Sequence, residues 1–227
     1  MYQYVVSCVL GGSVKVASER LRIYACVLCG IMDLKNLVSN NMREADHRKR
    51  LSSTKDCKTI FAESFLHFIH LQGLPEVPEG YCLRPLMSTD YNRGYLELLG
   101  QLTVVGEVTE EMFLHRFSLM RNTSPPAYYV LVIEHKEMRH VVASATLVLE
   151  WKFIHDAGCR GRIEDVVVDK SVRGQHFGML LIQHLVALAR YIGVYKLSLE
   201  CKNELISFYE QFGFKKDEEN NFLVQKF

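Results

Sequence analysis

Residues 163–181, IEDVVVDKSVRGQHFGMLL, indicate the fold class of this chain. The β-branched run at 163–168 predicts a strand, and the apolar spacing from Gly174 to Tyr191 predicts a long helix after it. A second run, Tyr195–Cys201, has the composition of another strand. A crossover helix of this length places its two strands parallel and side by side, so the sequence predicts an α/β unit.

The loop between the first strand and the helix is a candidate ligand site. Asp169–Gln175 lies at the carboxyl end of the predicted strand, where α/β proteins bind ligands. The glycines of Arg173–Gly178 let the backbone approach a ligand, and the first N–H groups of the helix can bind an anion. The spacing fits neither a nucleoside triphosphate loop nor a dinucleotide fold, so another pyrophosphate compound is predicted. The alternative is that Gly174 and Gly178 only allow tight helix packing.

Segments on either side complete the predicted sheet. Upstream, strands that include a hairpin alternate with helical segments, and a short helix closed by Gly213 follows the second parallel strand. The predicted strands are Tyr81–Leu86, Tyr128–Glu134 and Val141–Ile154, and the predicted helices are Tyr91–Leu99, Glu110–Arg121 and Asn203–Phe212. The predicted fold class is therefore α/β, with a mixed, mostly antiparallel sheet flanked by helices.

The N-terminal quarter has a different character. Residues 39–58 are polar with few large apolar side chains, which is typical of a linker. We therefore expect an N-terminal extension and linker over residues 1–59, without fixed structure, and one packed domain over residues 60–227. The apolar run Tyr4–Leu10 is too short for the ~20 residues of a transmembrane helix, so no membrane span is predicted.

Composition excludes several classes of function. The chain has 227 residues, 48% hydrophobic and 23% charged, so it can bury a core and is neither disordered nor fibrous. A net charge of +1 gives no electrostatic footprint for nucleic acid. Seven cysteines, an odd number, favour reduced thiols and a cytoplasmic protein, with endomembrane association as a variant. Cys26 and Cys29 have metal-site spacing but no second pair, so no metal is predicted.

Motifs in the C-terminal third resemble those of the GCN5-related N-acetyltransferase superfamily. Residues 166–182 are similar to its acetyl-CoA-binding segment, and Tyr195–Cys201 with Phe208–Phe214 is similar to its second signature. Ordered matches over residues 60–227 resemble one family within it, the glucosamine 6-phosphate N-acetyltransferases. These matches are Leu83–Leu86, Leu98–Thr103, Lys152–His155, Arg160–Val168 and Tyr195 with Lys196. The resemblance implies acetyl transfer to glucosamine 6-phosphate, a step in UDP-N-acetylglucosamine synthesis.

Acetyl-CoA is the co-substrate that the resemblance implies. The backbone of Arg173–Gly178 would hold its pyrophosphate, and the strand Val166–Val168 would hold its pantetheine arm. The superfamily loop usually has glycine where this chain has His176. The implied acetyl-CoA contacts are Val166, Val167, Val168, Arg173, Gly174, Gln175, His176, Phe177, Gly178, Tyr209, Glu210 and Gln211.

Acetyl transfer needs a neutral amine near the carbonyl, polarisation of that carbonyl, and a proton for the leaving thiolate. By resemblance the phenol of Tyr209 hydrogen-bonds the coenzyme A sulfur, and the alternative is a structural tyrosine beside Phe208. Glu164, Asp165 and Glu200 are the candidates for holding the substrate ammonium, with ordinary surface ion pairs as the alternative. Successive strand residues face opposite sides, so Glu164 and Asp165 can share one site only if the strand bulges there.

A sugar-phosphate site is also implied by the resemblance. Lys196 and Lys226 match phosphate ligands, the second of which is usually arginine, and Glu200 stands where several relatives have aspartate. The implied substrate contacts are Thr103, Glu150, Trp151, Lys152, Phe153, Glu164, Asp165, Val166, Tyr195, Lys196, Glu200 and Lys226. In the family, phosphate contacts come partly from the neighbouring subunit. A homodimer with shared active sites is therefore implied, with residues 221–227 as the strand that enters the partner.

Two other functions stay open on the sequence. An N-acetyltransferase for a protein or polyamine could use the same fold, and a catalytically silent module could bind acyl-CoA without turnover. The lysines that match phosphate ligands argue against the first, and Tyr209 with the carboxylates argues against the second. Because Cys159 and Cys201 have no evident histidine partner, we expect direct attack by the amine in a ternary complex, without an acetyl-cysteine relay.

Overall fold

The structure is a computed structural model, and it describes residues 57–70 and 73–225. These residues form strands and helices joined by short 3₁₀ turns. In chain order the strands are β1 (Tyr81–Pro85), β2 (Tyr128–His135), β3 (His140–Trp151), β4 (Cys159–Val168) and β5 (Lys196–Leu199). The helices are α1 (Ser64–His70), α2 (Tyr95–Leu99), α3 (Glu110–Arg121), α4 (Phe177–Ile192) and α5 (Ile206–Glu210), and a distorted four-residue helical turn, Ile154–Ala157, lies between β3 and β4.

The strands form one sheet in the order β1–β2–β3–β4–β5. Neighbouring strands are antiparallel from β1 to β4, whereas β4 and β5 are parallel, with Arg160 opposite Lys196. The connection between the parallel strands contains α4, a helix of 16 residues. The predicted strand–helix–strand unit is therefore confirmed, and so is the mixed, mostly antiparallel sheet flanked by helices.

Strand β3 lies at the centre of the sheet and is covered on both faces. Residues 141–147 are all buried, as expected for a strand against which both α2 and α4 pack. Leu181, Leu185 and Leu188 place a continuous apolar stripe of α4 in the core. The elements that carry the candidate site, β4 and α4, are thus anchored by the core.

One predicted helix is confirmed and another is only partly formed. Helix α3 spans the predicted residues, and the Thr109 hydroxyl caps it by accepting from the N–H of Met112. The predicted helix Tyr91–Leu99 is wrong in its first half, because Gly94 is left-handed (φ 79°) and α2 begins only after it. A Cβ at Gly94 would overlap the imidazole of His140. The close packing of that ring on the backbone ends the preceding 3₁₀ turn, and local spacing does not reveal it.

Other boundaries differ from the predicted ones by a few residues. Helix α4 begins at Phe177, because Gly174 (φ 86°) and His176 (φ 61°) are left-handed and cannot belong to it. Strand β4 begins earlier than predicted, at Cys159. The predicted helix over 203–212 is a 3₁₀ turn followed by α5.

The packed domain includes residues just before position 60. Thr59 forms an isolated bridge with Met87, and the N–H of Ile60 donates to the carbonyl of Leu86 at 2.9 Å. Residues 1–56 of the predicted extension lie outside the described residues. Within the ranges that the structure describes, no helix combines the length and the apolar character needed to cross a bilayer.

Candidate active site

The backbone of Arg173–Gly178, which we call the cradle, follows the carboxyl end of β4. The segment Arg173–Gly178 joins the 3₁₀ turn Lys170–Val172 to α4. Within it, Gly174 and His176 have φ values of 86° and 61°, and left-handed residues of this kind turn successive N–H groups toward a common centre. The N-terminus of α4 adds further N–H groups and the positive end of the helix dipole. This backbone geometry suits a pyrophosphate.

The left-handed backbone at His176 gives a physical reason why glycine is usual at this position of the superfamily loop. Glycine adopts this conformation without strain, and histidine is among the side chains that tolerate it better than most. The next residue, Phe177, is 1% exposed, and its ring meets that of Tyr81 with centroids 4.7 Å apart. Its side chain anchors α4 in the core, so Phe177 can contact a cofactor only through its backbone.

The valines that end β4 differ in burial. Val167 is buried in the core, whereas Val166 and Val168 are half-buried. The Nε of Arg173 donates to the carbonyl of Val168 at 3.2 Å, so the arginine side chain folds back over the end of the strand. Val166 and Val168 are therefore the side chains that can line a pantetheine arm, and the predicted contact at Val167 is restricted to its backbone.

Gln101 links the end of α2 to the turn that leads into the cradle. Its Nε2 donates to Asp169 Oδ2 at 2.7 Å, and its Oε1 accepts from the N–H of Lys170 at 3.0 Å. Asp169 Oδ1 also accepts from the N–H of Ser171 at 2.8 Å, and from its hydroxyl. The hydrogen bonds from Ser171 and then from Gln101 hold the pKa of Asp169 below its ordinary value, so this carboxylate is charged in the folded protein.

Strand β4 bulges where its two acidic residues follow one another. Glu164 lies opposite Thr146 and Val167 lies opposite Ser144, so β4 has one residue more than β3 between these pairs. Asp165 lies in this interval and has a φ of 52°. The bulge is the condition under which Glu164 and Asp165 can serve one site, and both residues are accessible to solvent although the Asp165 carboxylate is partly buried.

A network of charged side chains spans β3, β4 and the end of β5. The guanidinium of Arg162 lies 3.3 Å from Glu164 and 3.7 Å from both Glu150 and Glu200. The Nζ of Lys152 lies 2.6 Å from Glu150, and this hydrogen bond is the main reason why the pKa of Glu150 is below its ordinary value. The structure thus brings Glu164 and Glu200, two of the predicted catalytic carboxylates, to one guanidinium.

Asp165 has a different electrostatic environment from these carboxylates. Partial burial of its carboxylate, and then the negative charge of Glu164, raise the pKa of Asp165 above its ordinary value. A carboxylate with a raised pKa is a better proton acceptor near neutral pH. The raised pKa therefore suits Asp165 to take a proton from an ammonium group.

Tyr209 lies in α5, with its ring buried among aromatic side chains. The ring centroid is 5.0 Å from that of Phe208 and 6.2 Å from that of Phe214, both in edge-to-face geometry. Burial and, after it, the proximity of Cys201 raise the pKa of the phenol. The phenol is therefore protonated at neutral pH and can donate a hydrogen bond. Glu210 and Gln211, which follow it, are exposed.

An open cleft of about 1100 Å³ lies between β5, α5 and the segment after α5. Tyr209, Glu200 and Lys196 all line it, so residues predicted from separate motifs share one solvent space. The Nζ of Lys196 lies 3.4 Å from Asp217, which also lines the cleft. A phosphate that approaches Lys196 would therefore compete with the Asp217 carboxylate.

The turn between β3 and β4 carries further predicted substrate contacts. Trp151 and Phe153 are exposed but do not line the cleft. His155 begins three successive residues with positive φ, and its ring stacks on that of Tyr195 with centroids 4.1 Å apart. This ring contact connects the turn, which is strained by its positive φ values, to Tyr195, which is itself a predicted substrate contact. Thr103 is exposed in the loop after α2.

Two predicted features lie outside the described residues. One is the phosphate ligand Lys226, and the other is the cysteine pair Cys26 and Cys29. Over the described part of the chain, no three His, Cys, Asp or Glu side chains are placed to hold a metal ion.

Two residues of the site, Arg162 and Gln101, lie inside the sequence motifs without a role that the motifs assign to them. Arg162 alternates with Arg160 and Glu164 along β4, and this period of two is a signal that could have placed it on the face of Glu164. Gln101 has no such signal, because its partner Asp169 is 68 residues away.

Comparisons with known proteins are consistent with this geometry. Residues 92–214, more than half of the chain, match the model of the acetyltransferase (GNAT) family. Over 132 residues the chain is 48% identical to a probable glucosamine 6-phosphate N-acetyltransferase of Drosophila melanogaster, which covers 58% of this chain and 59% of the relative. The chain thus spans about three fifths of the length of that relative.

Arabidopsis thaliana provides a second relative and a solved structure. The chain is 38% identical over 135 residues to its glucosamine 6-phosphate N-acetyltransferase, covering 60% of this chain and 90% of that protein. A crystal structure of glucosamine-6-phosphate N-acetyltransferase from this plant superposes with a TM-score of 0.61 at 35% identity. The superposition covers 66% of this chain and 99% of the plant chain.

Proposed function

The chain belongs to the GNAT acetyltransferase family and, within it, to the glucosamine 6-phosphate N-acetyltransferases, and we propose that it acetylates D-glucosamine 6-phosphate. The products are N-acetyl-D-glucosamine 6-phosphate, for UDP-N-acetylglucosamine synthesis, and coenzyme A. The observation that supports this most directly is the bulge in β4, which sets Glu164 and Asp165 a few residues before the cradle Arg173–Gly178. One strand thereby positions both the cofactor loop and the acids that meet an amine.

Acetyl-CoA is the co-substrate that these residues fit. The left-handed backbone of the cradle and the N-terminus of α4 supply N–H groups for the pyrophosphate. The half-buried side chains of Val166 and Val168 supply an apolar surface for the pantetheine arm. At the bulge β4 has one residue more than β3, and a bulge leaves backbone groups without a partner in the ladder. Backbone N–H groups there can therefore donate to the thioester carbonyl and polarise it.

The sugar amine attacks directly in a ternary complex. The ammonium loses a proton, for which Asp165 is the acceptor favoured by its raised pKa. Before this step the cation is held by Glu164 and Glu200, where it takes the place of the Arg162 guanidinium that pairs with both carboxylates in the structure. The nitrogen then forms a bond to the carbonyl carbon, the C–S bond breaks, and the nitrogen loses its second proton as the amide forms. Tyr209 donates a hydrogen bond to the departing thiolate, which is finally protonated.

Recognition of the phosphate is assigned to cationic side chains. Lys196 lines the same cleft as Glu200, and Lys226 is proposed as a second ligand on the ground of resemblance. Asp217 lies against Lys196 and would be displaced from it by a bound phosphate. A single lysine offers a point charge without the paired donors of arginine, so both lysines together are needed for tight binding.

A homodimer with shared sites completes the proposal. In the single chain, Phe222, Leu223 and Val224 are exposed and belong to no strand. Trp151 and Phe153, which do not line the cleft, are exposed as well. Exposed apolar side chains of this kind support an interface with a second copy. Light scattering should give a mass near twice 26.2 kDa, and Leu223→Asp should lower both that mass and the activity.

The compartment that we propose is the cytoplasm. An odd number of cysteines, seven, suits a reducing environment. Cell fractionation followed by an activity assay separates this location from endomembrane association, because membrane-bound enzyme would sediment with the vesicles.

A panel of acceptor amines tests the proposed activity. Purified protein is given acetyl-CoA with glucosamine 6-phosphate, glucosamine, spermidine or a lysine-rich peptide, and free thiol is measured. Glucosamine 6-phosphate should give by far the highest kcat/KM. Preference for the peptide or spermidine would support a protein or polyamine acetyltransferase instead, and binding of acetyl-CoA without thiol release from any amine would support a silent module.

A further inference from the structure

Gln101 connects two loops of the site through its hydrogen bonds to Asp169 and Lys170, which together we call the junction. It lies two residues before Thr103, and it touches Asp169 and Lys170, which follow β4 directly. The amide orientation is determined by its partners, because the N–H of Lys170 requires an acceptor and the Asp169 carboxylate requires a donor. Both polar atoms of the amide are therefore used, at 3.0 Å and 2.7 Å.

Each end of this junction is fixed to a rigid element. On one side, the N–H of Gln101 donates to the carbonyl of Leu98, which is 1% exposed in α2. On the other side, the N–H of Asp169 donates to the carbonyl of Val142 in β3. A hydrogen bond to a charged acceptor stabilises more than an exposed ion pair does. The junction can therefore transmit a change in one loop to the other.

The two connected loops serve different ligands of the proposed reaction. Asp169 caps the 3₁₀ turn Lys170–Val172 through Ser171, and that turn runs directly into the cradle Arg173–Gly178. The loop after Gln101 carries Thr103, whose neighbours Leu102 and Val104 are exposed. The cradle side fits acetyl-CoA, and the Thr103 side is the predicted sugar side.

We propose that Gln101 is a positioning residue that couples acetyl-CoA binding to sugar binding, an inference that rests on the proposed function. Acetyl-CoA on the cradle limits the remaining motion of the turn Lys170–Val172, and the two hydrogen bonds of Gln101 pass this restriction to the loop that carries Thr103. The sugar meets a loop that is already ordered, so it binds more tightly once the cofactor is present. Linkage requires the reverse effect as well, so the sugar must tighten binding of coenzyme A by the same factor.

Calorimetry on the full chain measures this coupling without turnover, with coenzyme A, the thiol product, as the probe. In wild-type protein, saturating glucosamine 6-phosphate should lower the Kd of coenzyme A about tenfold, within the usual range of coupling between two sites. In Gln101→Ala the ratio of the two Kd values should fall close to one. The KM of the sugar should rise about tenfold while kcat changes less, because Gln101 touches neither reacting group.

An exchange of the donor and the acceptor between residues 101 and 169 distinguishes a loss of coupling from a general loss of stability. Gln101→Glu alone sets two carboxylates against each other and should be at least as harmful as Gln101→Ala. In the double variant Gln101→Glu/Asp169→Asn, the asparagine amide donates to the glutamate, and the glutamate still accepts from the N–H of Lys170. This variant should recover most of the coupling, which a role in folding alone would not predict. Asn122→Ala, which removes a 3.1 Å hydrogen bond to Ser118 at the end of α3, is the matched control and should behave as wild type.

The outcomes distinguish this inference from the proposed function. Wild-type protein that binds coenzyme A but never acetylates glucosamine 6-phosphate contradicts the proposed function, and absence of any sugar effect on the Kd then also overturns the coupling. Wild-type protein that is active and coupled, together with a Gln101→Ala variant that has the same coupling, overturns the inference alone. A Gln101→Glu/Asp169→Asn variant that folds with a normal melting temperature but stays uncoupled overturns it as well.

Discussion

Arg84 donates two hydrogen bonds of 2.8 Å to the two carboxylate oxygens of Asp90, which is completely buried at 0% exposure. The Nε of Arg84 donates to Glu134 at 2.7 Å, and the N–H of Met87 donates to Asp90 at 2.7 Å. The network ties β1 and β2 to the 3₁₀ turn before α2. The Leu83–Leu86 motif therefore supports the helix that carries the Thr103 loop, and its arginine has a structural role.

Replacement of Asp90 by asparagine should destabilise the fold strongly. The change leaves Arg84 buried with only one carboxylate partner, and loss of one partner from a buried ion pair costs about 3–5 kcal/mol. Urea unfolding gives the free energy directly. The control is Glu204→Gln, whose exposed pair with Lys202 spans 4.0 Å and should contribute less than about 0.5 kcal/mol. Equal stability of the two variants would contradict a structural role for Asp90.

Tyr209→Phe should lower kcat by about 10²-fold and leave both KM values nearly unchanged. The ring and its packing against Phe208 and Phe214 are kept, so folding should survive, and only the donor to the thiolate is removed. Tyr91→Phe is the matched control, since it removes a phenol hydrogen bond to Val108 outside the cleft. A Tyr209→Phe enzyme with wild-type kcat, measured where chemistry limits turnover, would show that another donor serves the sulfur.

Lys196→Ala should reduce the preference for glucosamine 6-phosphate over glucosamine about tenfold, through the KM of the phosphorylated sugar. The affinity for coenzyme A should not change. Asp217→Asn should have the opposite effect and lower that KM about twofold, because it frees Lys196 from its 3.4 Å partner. If both variants raise the KM, Asp217 belongs to the binding site and does not compete with phosphate.

Asp165→Asn should lose activity yet raise the melting temperature at neutral pH. Partial burial and Glu164 raise the pKa of Asp165 in the folded state, so the ionised form destabilises the fold above that raised pKa. Below the ordinary pKa of an aspartate, about 3.9, wild-type Asp165 is protonated in both states and the gain should disappear. Asparagine also tolerates the left-handed backbone at this position. A gain that persists unchanged at low pH would have a cause other than the charge.

A chain that starts at Cys57 should fold and keep its kcat, as we expect from the polar linker at 39–58. It retains the bridge between Thr59 and Met87. A chain that starts at Ala62 is the control, because it lacks the buried side chains Ile60 and Phe61 and should melt at a lower temperature. Inactive but folded protein from the first variant would assign a catalytic role to the extension.

Local signals made part of the fold predictable. Helix α3 was predictable because its cap, Thr109, and its apolar spacing lie within a few residues of each other. The parallel pair β4 and β5 was predictable because a long apolar helix separates two β-branched runs. The break at Gly94 is not predictable, because it depends on the ring of His140, which lies in β3.

The candidate site was predictable in its residue types more than in its geometry. The sequence motif indicated the cradle at Arg173–Gly178, but not that Phe177 would be a core side chain. From the sequence, the bulge at Asp165 is only a condition for Glu164 and Asp165 to share one site, since its presence depends on how β4 pairs with β3. The hydrogen bonds that join Gln101 to Asp169 and Lys170 are not predictable, because contacts between residues far apart in the chain leave no local pattern.

The register on both flanks of the β4 bulge is regular, with Glu164 opposite Thr146 and Val167 opposite Ser144. An in-frame deletion of the Asp165 codon would keep these pairs and close the ladder between them. The encoded protein would have a smoother sheet and would accumulate in the cell as well as its parent. On the proposed role of Asp165, a genetic screen that scores expression or solubility would pass this allele as harmless, and a measurement of acetylated sugar would identify it as inactive.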